Sequence, residues 1–354
     1  MSESPPRPPS SRPVTLEEVA RVASLSRAAP SRVVRGISHV NPASGRAVQR
    51  ALENLDYVPG LTRLDPSPAG SAIGVVITES TTNLFGDPYF STLIKGIRSA
   101  LAELSILSVM LEPQSDPEME LAATYLTGKH VDGAILVGPH QHNPLPKRLR
   151  EHRIPMVIQG RPYEDVAASC VDTDNRQGGA LAVSHLVAQG RRRIATIAGN
   201  LDMTSAVDRL MGYRDALSAA DIALDRTLEE VAEYLPDRAH MAMERLLLNH
   251  PDVDAVFAAS DRMAAAAMRV LHQAHRRIPE DVAVIGFDDS PTAQATDPPL
   301  SSIRQPIEEM GREVVNVLMR EMAEPGAAPR HVTFATELVV RESTVGAEGI
   351  GVMG

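Results

Sequence analysis

Tryptophan is absent from this chain of 354 residues, and aromatic residues make up only 3% of it. Aliphatic side chains must therefore fill the core, and a chain of this length can bury one in each of about two to three domains. The one cysteine, Cys170, has no partner for an internal disulfide, which is typical of a reducing compartment. No apolar run approaches the roughly 20 residues of a membrane-spanning helix, and residues 1–13 lack the apolar core of a signal peptide. These absences predict a cytoplasmic protein without a membrane partner.

Several enzyme motifs are missing as well. The chain has no G-x-G-x-x-G, no P-loop and no G-x-S-x-G segment. Cys170 lies in an apolar run without an evident histidine partner, so it is not expected to act as a nucleophile. His140 and His142 have a spacing that occurs in metal sites, but no third ligand stands near them. We therefore expect no enzymatic activity, no cofactor and no metal.

The charge is distributed unevenly along the chain. The formal net charge is −10, but residues 1–64 hold nine arginines against five acidic residues, a net charge of +4. Residues 65–354 therefore carry −14. A basic head on an acidic body is the asymmetry of a protein whose head alone contacts DNA. The same arginines also fit the alternative of a solvated helical surface.

The N-terminal segment has the pattern of three short helices. A capping box at Thr15 and Glu18 opens the first helix, and Ser26 can cap a second helix that begins at Arg27. A third helix, at about 43–55, supplies further apolar residues for a small core. Two short helices separated by about three residues form the helix-turn-helix motif, whose second helix enters the major groove of DNA.

The second of these helices carries the candidate DNA contacts. Arginine reads guanine through paired hydrogen bonds to O6 and N7, so base contacts are predicted for Arg27, Ala28 and Arg32. Contacts with phosphates, which set the register on the duplex, are predicted for Thr15, Ser26, Ser31, Arg35, His39 and Asn41. The alternative is an ordinary three-helix bundle with arginines on its exposed face.

From residue 72 the pattern changes to short apolar runs that alternate with helical spacing. This alternation predicts an α/β fold with mostly parallel sheets covered by helices. The number of runs exceeds what one such sheet needs, so we expect two lobes. The predicted strands are 72–78, 106–111, 133–138, 155–160, 169–174, 193–199, 254–260 and 281–289, with a last strand signal in 335–343.

Polar residues follow many of these runs. Ligands of open α/β sheets bind beyond the carboxyl ends of the strands, where these side chains would gather. Carboxylates accept hydrogen bonds from hydroxyls and a guanidinium donates them, which suits a small ligand rich in hydroxyls. The strand-end residues include Glu79, Arg161, Asp174, Asn175, Ser260 and Asp288.

Many segments resemble, in the right order, the LacI/GalR (lac repressor) family. The segment 14–60 matches T-L-x-x-V-A, S-R-V-V-x-G and L-x-Y-x-P, and the body matches in DPYFSTLIKGI (87–97), VDTDN (171–175) and IPEDVAVIGFDD (278–289). The resemblance covers almost the whole chain. It implies a helix-turn-helix headpiece on a two-lobed core similar to periplasmic binding proteins, with parallel doubly wound sheets. It further implies a homodimeric repressor that binds a pseudo-palindromic operator in double-stranded DNA and senses a sugar or a similar small polar effector.

The resemblance also assigns site residues in the core. It implies hydroxyl contacts by Asp174, Arg209 and Asp288, and it places Ser260 where the family often has asparagine. Tyr234 falls near a position where an aromatic ring stacks on the effector, and Phe90 fits a pocket wall. The residues by themselves leave structural alternatives open, because Asp174 and Asp288 could be caps and Tyr234 could be a core residue. The resemblance implies no more than a candidate role for Leu64 in the minor groove.

The headpiece departs from the family pattern at several positions. Pro30 removes a backbone donor inside the reading helix, and Gly45 weakens the third helix. Pro66 and Pro68 disfavour a helix in the hinge segment that follows. These departures leave two alternatives open: a sugar-binding sensor whose headpiece and hinge have weakened or lost operator binding, and a small-molecule binding protein of the periplasmic type.

The domain boundaries follow from these patterns. We expect a disordered tail (1–13), a DNA-binding domain (14–60), a hinge or linker (61–71), an effector core (72–345) and a flexible tail (346–354). Within the core, the first lobe is predicted to combine about 72–175 with 301–330. The second lobe is predicted to combine 176–300 with 331–345.

Overall fold

The computed structural model describes two units, residues 1–69 and residues 70–354. The residues it describes are 16–23, 25, 44, 47, 48, 50, 51, 72–138, 140–163 and 166–350, with side chains described from residue 19 in the first range and to residue 346 in the last. In the first unit, helix α1 (Leu16–Val22) lies where the capping box predicts a helix, and Val19 and Ala20 are buried. Val48 and Ala51, also buried, lie on the predicted third helix.

The second unit contains alternating strands and helices, as the apolar runs predict. Its strands are β1 (Ala72–Ile77), β2 (Leu107–Leu111), β3 (Gly133–Val137), β4 (Met156–Gln159), β5 (Ser169–Thr173), β6 (Ile194–Ala198), β7 (Glu229–Val231), β8 (Ala255–Ala258), β9 (Ala283–Asp288), β10 (Ser301–Arg304), β11 (His331–Phe334) and β12 (Glu337–Val339). Its helices are α2 (Thr81–Gly86), α3 (Pro88–Glu103), α4 (Asp116–Thr127), α5 (Leu145–Glu151), α6 (Asn175–Ala188), α7 (Thr204–Ala219), α8 (Pro236–Asn249), α9 (Asp261–Gln273), α10 (Pro291–Ala295), α11 (Ile307–Ala323) and α12 (Glu342–Ile350), with a 3₁₀ turn at Arg226–Leu228.

These strands form two six-stranded sheets, one in each lobe. The first has the order β11-β5-β4-β3-β1-β2 and is parallel throughout, and the second has the order β12-β10-β9-β8-β6-β7, with only β12 antiparallel to its neighbour. Side chains alternate between the two faces of a strand, so β1 buries Ile73, Val75 and Ile77 in one apolar layer and Val76 in the opposite layer. Each sheet therefore separates two apolar layers, as in doubly wound folds.

The chain crosses between the lobes at different places from those predicted. Residues 301–304 were assigned to the first lobe, but β10 pairs with β9 in the second sheet. Residues 331–334 were assigned to the second lobe, but β11 pairs with β5 in the first sheet. Helix α11, between them, packs against α3 and the first sheet, as predicted. An apolar run does not specify its neighbour in a sheet, and only tertiary packing decides which edge a late strand joins.

The C-terminal segment is also more regular than predicted. Helix α12 extends to Ile350, with Gly346 in a left-handed conformation at φ 71° that interrupts the helix. The flexible tail predicted from residue 346 thus begins inside this helix. Among the described residues, no helix combines the length and apolar character that a membrane span needs.

Candidate functional site

A cavity open to solvent lies between the carboxyl ends of the strands of the two sheets. Both lobes contribute side chains to it, and many of these are polar and buried. The position agrees with the rule that ligands of α/β sheets bind beyond the carboxyl ends of the strands.

Asp172, on β5, contributes a carboxylate to the surface of the cavity that the first lobe forms. Its carboxylate accepts hydrogen bonds from the backbone N–H groups of Thr173 (2.8 Å) and Arg161 (2.9 Å) and from the Asn175 amide (3.1 Å). Burial raises the pKa of Asp172 to about 6, and the two backbone hydrogen bonds oppose that rise. The carboxylate is therefore well oriented, and a ligand hydroxyl could complete its hydrogen bonding.

Arg209, on α7, lies at the centre of the second lobe's wall. Its Nε donates to Asn175 Oδ1 at 2.8 Å, and its Nη1 donates to the Ala259 carbonyl at 2.6 Å. The guanidinium carbon lies 3.7 Å from the centroid of the Phe287 ring and 6.0 Å from that of Tyr234. Contacts on several sides hold this buried cation in one position, from which it can donate to a ligand.

Asp288, at the end of β9, lies beside this cation. Its Oδ1 is 3.6 Å from Arg209 Nη1 and accepts a hydrogen bond from Gln305 Nε2 at 2.6 Å. Burial raises the pKa of Asp288 well above its ordinary value; the Arg209 charge opposes this rise, and the Asp261 charge adds to it. Asp288 has a φ of 105°, a strained backbone conformation of the kind that clusters at binding sites.

Asp261 lies behind the cavity wall at the start of α9 and is 1% exposed. It accepts hydrogen bonds from the Ser290 backbone N–H and the Ser302 hydroxyl, both at 2.6 Å. Burial raises its pKa to about 7, and the Ser302 and Ser290 hydrogen bonds oppose that rise. Asp261 is not a lining residue, and it ties the loop that follows Asp288 to the sheet.

Tyr234 contributes an aromatic surface to the cavity. Its ring covers Gly199, where a Cβ atom would lie 2.2 Å from Tyr234 Cζ, so only glycine leaves room for the ring. Tyr234 itself has a left-handed φ of 61°. Burial raises the pKa of its hydroxyl, and the negative charges of Asp288 and Glu79 contribute to that rise. A sugar ring can stack on such a surface while its hydroxyls reach the surrounding polar groups.

Hydrogen bonds and ion pairs join the lobes across the mouth of the cavity. Arg161 forms a two-point ion pair with Asp208, both contacts at 2.9 Å, and the Tyr163 hydroxyl donates to the Asp202 carbonyl at 2.8 Å. On another side, Arg262 Nη1 lies 3.4 Å from Asp87 Oδ2. These contacts cross the cleft, so they form or break when the lobes move relative to each other.

Five of the six predicted effector residues line this cavity: Phe90, Arg209, Tyr234, Ser260 and Asp288. Asp174 does not. Its Oδ1 accepts from the Gln177 backbone N–H at 2.9 Å and caps α6, which is the structural alternative that the sequence left open. Asp172, two residues earlier, lies in the cavity instead, because β5 ends at Thr173 and the chain turns into the helix at Asn175.

Several lining residues were missed as effector contacts in the sequence. Glu79 and Asn175 were recognised only as strand-end residues. The remaining ones follow no single motif, although Asp172 belongs to a predicted strand and could have been found from the alternation of its side chains. The missed polar or aromatic lining residues are Asn83, Asp87, Tyr89, Gln159, Asp172, Thr204, Ser205 and Gln305.

The predicted DNA contacts lie outside the described residues. This applies to the base contacts predicted for Arg27, Ala28 and Arg32 and to the hinge residue Leu64. It also applies to the predicted phosphate contacts Thr15, Ser26, Ser31, Arg35, His39 and Asn41. In the part of the chain that the structure does describe, no cluster of three or more His, Cys, Asp or Glu residues could hold a metal ion. His140 contacts Asp202 instead, at 3.0 Å.

Known proteins share this architecture over nearly the whole chain. The profile of a periplasmic binding protein-like domain matches residues 183–344. The HTH-type transcriptional regulator CelR of Thermobifida fusca is 42% identical over 332 residues, which cover 93% of this chain and 98% of CelR. The ribose operon repressor of Escherichia coli K12 is 31% identical over 93% of this chain and 99% of its own length. The chain belongs to the LacI/GalR family of transcriptional regulators.

Solved structures of LacI/GalR-family proteins agree with this assignment. A CelR–cellobiose complex is 43% identical, has a TM-score of 0.75, and covers 94% of this chain and 100% of that one. The lac repressor dimer bound to operator and an anti-inducer is 25% identical with a TM-score of 0.70, and the match covers 94% of this chain and 99% of that one. The predicted family and fold class are thus confirmed, and this LacI/GalR-family member is a ligand-responsive transcriptional regulator.

Proposed function

We propose that this chain is a cytoplasmic repressor that binds a pseudo-palindromic operator as a homodimer. A sugar that binds in the cleft changes its affinity for the operator. The observation that carries the proposal is the cleft itself, where Asp172, Arg209 and Asp288 surround a space walled by the Tyr234 ring. The CelR complex contains cellobiose, and its similarity over 94% of this chain supports a sugar effector here. The chain acts by binding rather than by catalysis, as its relatives are regulators.

The coupling between sugar and DNA follows from the two-lobed core. A sugar that binds one arrangement of the lobes more tightly shifts the population towards that arrangement. In a homodimer this shift changes the spacing of the two headpieces, and half-sites about 34 Å apart tolerate little change in spacing. Arg27 and Arg32 are the proposed readers of each half-site.

An electrophoretic mobility shift assay at stated salt tests the DNA half of the proposal. The wild-type protein is expected to prefer the promoter of its own gene over random duplex. Replacing Arg27 and Arg32 together by alanine removes that preference. The matched control replaces Arg98 and Arg192 by alanine. These two exposed arginines belong to the effector core, and the control variant keeps the preference for the promoter. Absence of any preference in the wild-type protein, with and without sugars, contradicts operator binding.

A thermal-shift screen of sugars tests the other half. A sugar that binds the folded protein raises its melting temperature, and the rise grows with the logarithm of the ratio of ligand concentration to dissociation constant. The same sugar is expected to change the mobility shift. If no sugar of a broad panel does either, the cleft takes another kind of effector.

A further inference from the structure

A polar corner of the cavity lies beyond the carboxyl end of β1. It consists of Glu79, two residues after the strand, and Asn83 in the short helix α2. Both line the cavity, and they are only 7% and 6% exposed. Neither is among the residues that the family resemblance assigns to the effector.

Hydrogen bonding in this corner is incomplete. The Asn83 amide nitrogen donates to Glu79 Oε2 at 3.2 Å, and the Gln114 amide donates to the Glu79 carbonyl at 2.7 Å. Since the nitrogen of Asn83 faces the carboxylate, its Oδ1 points away, and that buried oxygen has no donor. Among the described residues, Glu79 takes part in no ion pair at 4.0 Å or less. The Glu79 carboxylate thus has the Asn83 amide as a donor and no cation, and the Asn83 oxygen has no donor. A buried oxygen without a donor is costly, and a ligand that supplies one offsets that cost.

The corner lies far from Asp172. In the first sheet, β1 and β5 are separated by β3 and β4, which makes three strand spacings. At about 4.8 Å for each spacing, the main chain near Glu79 is roughly 14 Å from that of Asp172 along the sheet edge. Both side chains line the same cavity, and a second sugar unit joined to one that hydrogen-bonds to Asp172 and Arg209 would extend along this edge towards the Glu79 corner.

We propose that Glu79, oriented by Asn83, is a specificity-determining residue that accepts hydroxyl hydrogen bonds from a second sugar unit, so that the effector is an oligosaccharide. This inference rests on the proposed function, since it concerns the same cleft. One unit binds between Asp172, Arg209 and Asp288, and the next reaches the corner. Removing the acceptor leaves the first unit's contacts in place, so it penalises oligosaccharides selectively.

Isothermal titration of the full chain with glucose and with cellobiose, maltose and lactose tests this inference. The wild-type protein is expected to bind at least one of the disaccharides with an affinity at least ten times that for glucose. Glu79→Gln, which keeps the shape of the side chain, lowers the affinity for that disaccharide at least tenfold and leaves the glucose affinity within twofold. Asn83→Ala produces a smaller loss in the same direction, because the carboxylate remains but is less well oriented.

Glu112→Gln is the matched control, because Glu112 is exposed and does not line the cavity. It is expected to change neither affinity. Equal losses for glucose and disaccharide in Glu79→Gln, no loss for either, or a wild-type protein without a disaccharide preference would overturn the assignment of Glu79. Failure of the wild-type protein to bind any of these sugars counts against the proposed sugar effector itself, and against Glu79 with it. A thermal melt of each variant confirms folding.

Discussion

Arg209 Nη1 lies 3.6 Å from Asp288 Oδ1, and both side chains are more than nine-tenths buried. The pair joins α7 to the end of β9 within the second lobe, at the wall of the cavity. Buried charges of this kind depend on each other, because neither is solvated by water. The arrangement therefore links the stability of the lobe to its capacity to bind a ligand.

Arg209→Met should lower the free energy of unfolding by about 3 kcal/mol at pH 7.5, since it leaves the Asp288 carboxylate buried without its cation. The loss should become smaller as the pH falls from 7.5 to 5, because the pKa of Asp288 is raised and a protonated carboxyl needs no cation. Urea unfolding at the two pH values measures it. The double variant Arg209→Met with Asp288→Asn should regain much of the stability but not sugar binding. If the double variant is no more stable than Arg209→Met, the unpaired charge of Asp288 is not the cause of the lost stability.

The raised pKa of Asp172 predicts that acid stabilises the ligand-free protein through this group. Its pKa is about 6 in the folded protein and 3.8 when unfolded. The folded state thus binds the proton more tightly, and the stabilisation is complete below pH 3.8 and lost as the pH rises through 6. The difference is on the order of 3 kcal/mol.

Asp172→Asn isolates this contribution. Urea unfolding between pH 5 and 7.5 should show the wild-type protein losing stability relative to the variant as the pH rises. His185 acts in the opposite sense, because burial lowers its pKa and its stabilisation is lost as the pH falls. It is present in both proteins, so it cancels in the comparison. Parallel pH profiles for the two proteins would contradict the assignment to Asp172.

Asp172 and Asp174 should respond differently to substitution, although both are acidic and two positions apart. Asparagine caps helices as well as aspartate does, so Asp174→Asn should leave stability and sugar affinity unchanged, while Asp174→Ala costs about 1 kcal/mol. Asp172→Asn should instead weaken sugar binding at least tenfold. Thermal melts and titration calorimetry distinguish the two roles. A large loss of sugar affinity in Asp174→Asn would restore the role that the family resemblance gave it.

Gly199→Ala should displace the Tyr234 ring, because the added Cβ would lie 2.2 Å from Tyr234 Cζ. The expected cost is about 1–3 kcal/mol, as for other overpacked sites. Sugar affinity should also fall, since the aromatic surface moves. Adding Tyr234→Ala to this variant should relieve the overlap and recover stability without recovering affinity. If Gly199→Ala alone is as stable as the wild-type protein, the ring does not depend on this glycine.

The strands of the core were predictable because each is a short apolar run bounded by polar residues, and the eight runs from 72 to 289 all contain strands. The cavity was predictable in outline for the same reason, since polar residues at strand ends must gather at one sheet edge. It was not predictable which of the two neighbouring aspartates, Asp172 or Asp174, lines the cavity. In VDTDN both aspartates lie in the predicted strand 169–174, and only the start of α6 at Asn175 decides that Asp174 caps the helix.

The amino-acid sequence determined the family, the alternation of strands and helices, and several of the side chains around the cleft, because these depend on local patterns of apolar and polar residues. Tertiary structure alone decided that β10 and β11 join opposite lobes and that Asp172 rather than Asp174 lines the cavity. It also brought Glu79 and Asn83 into a buried corner with an unpaired oxygen. Such outcomes depend on which distant segments pack together, and no local pattern records that choice.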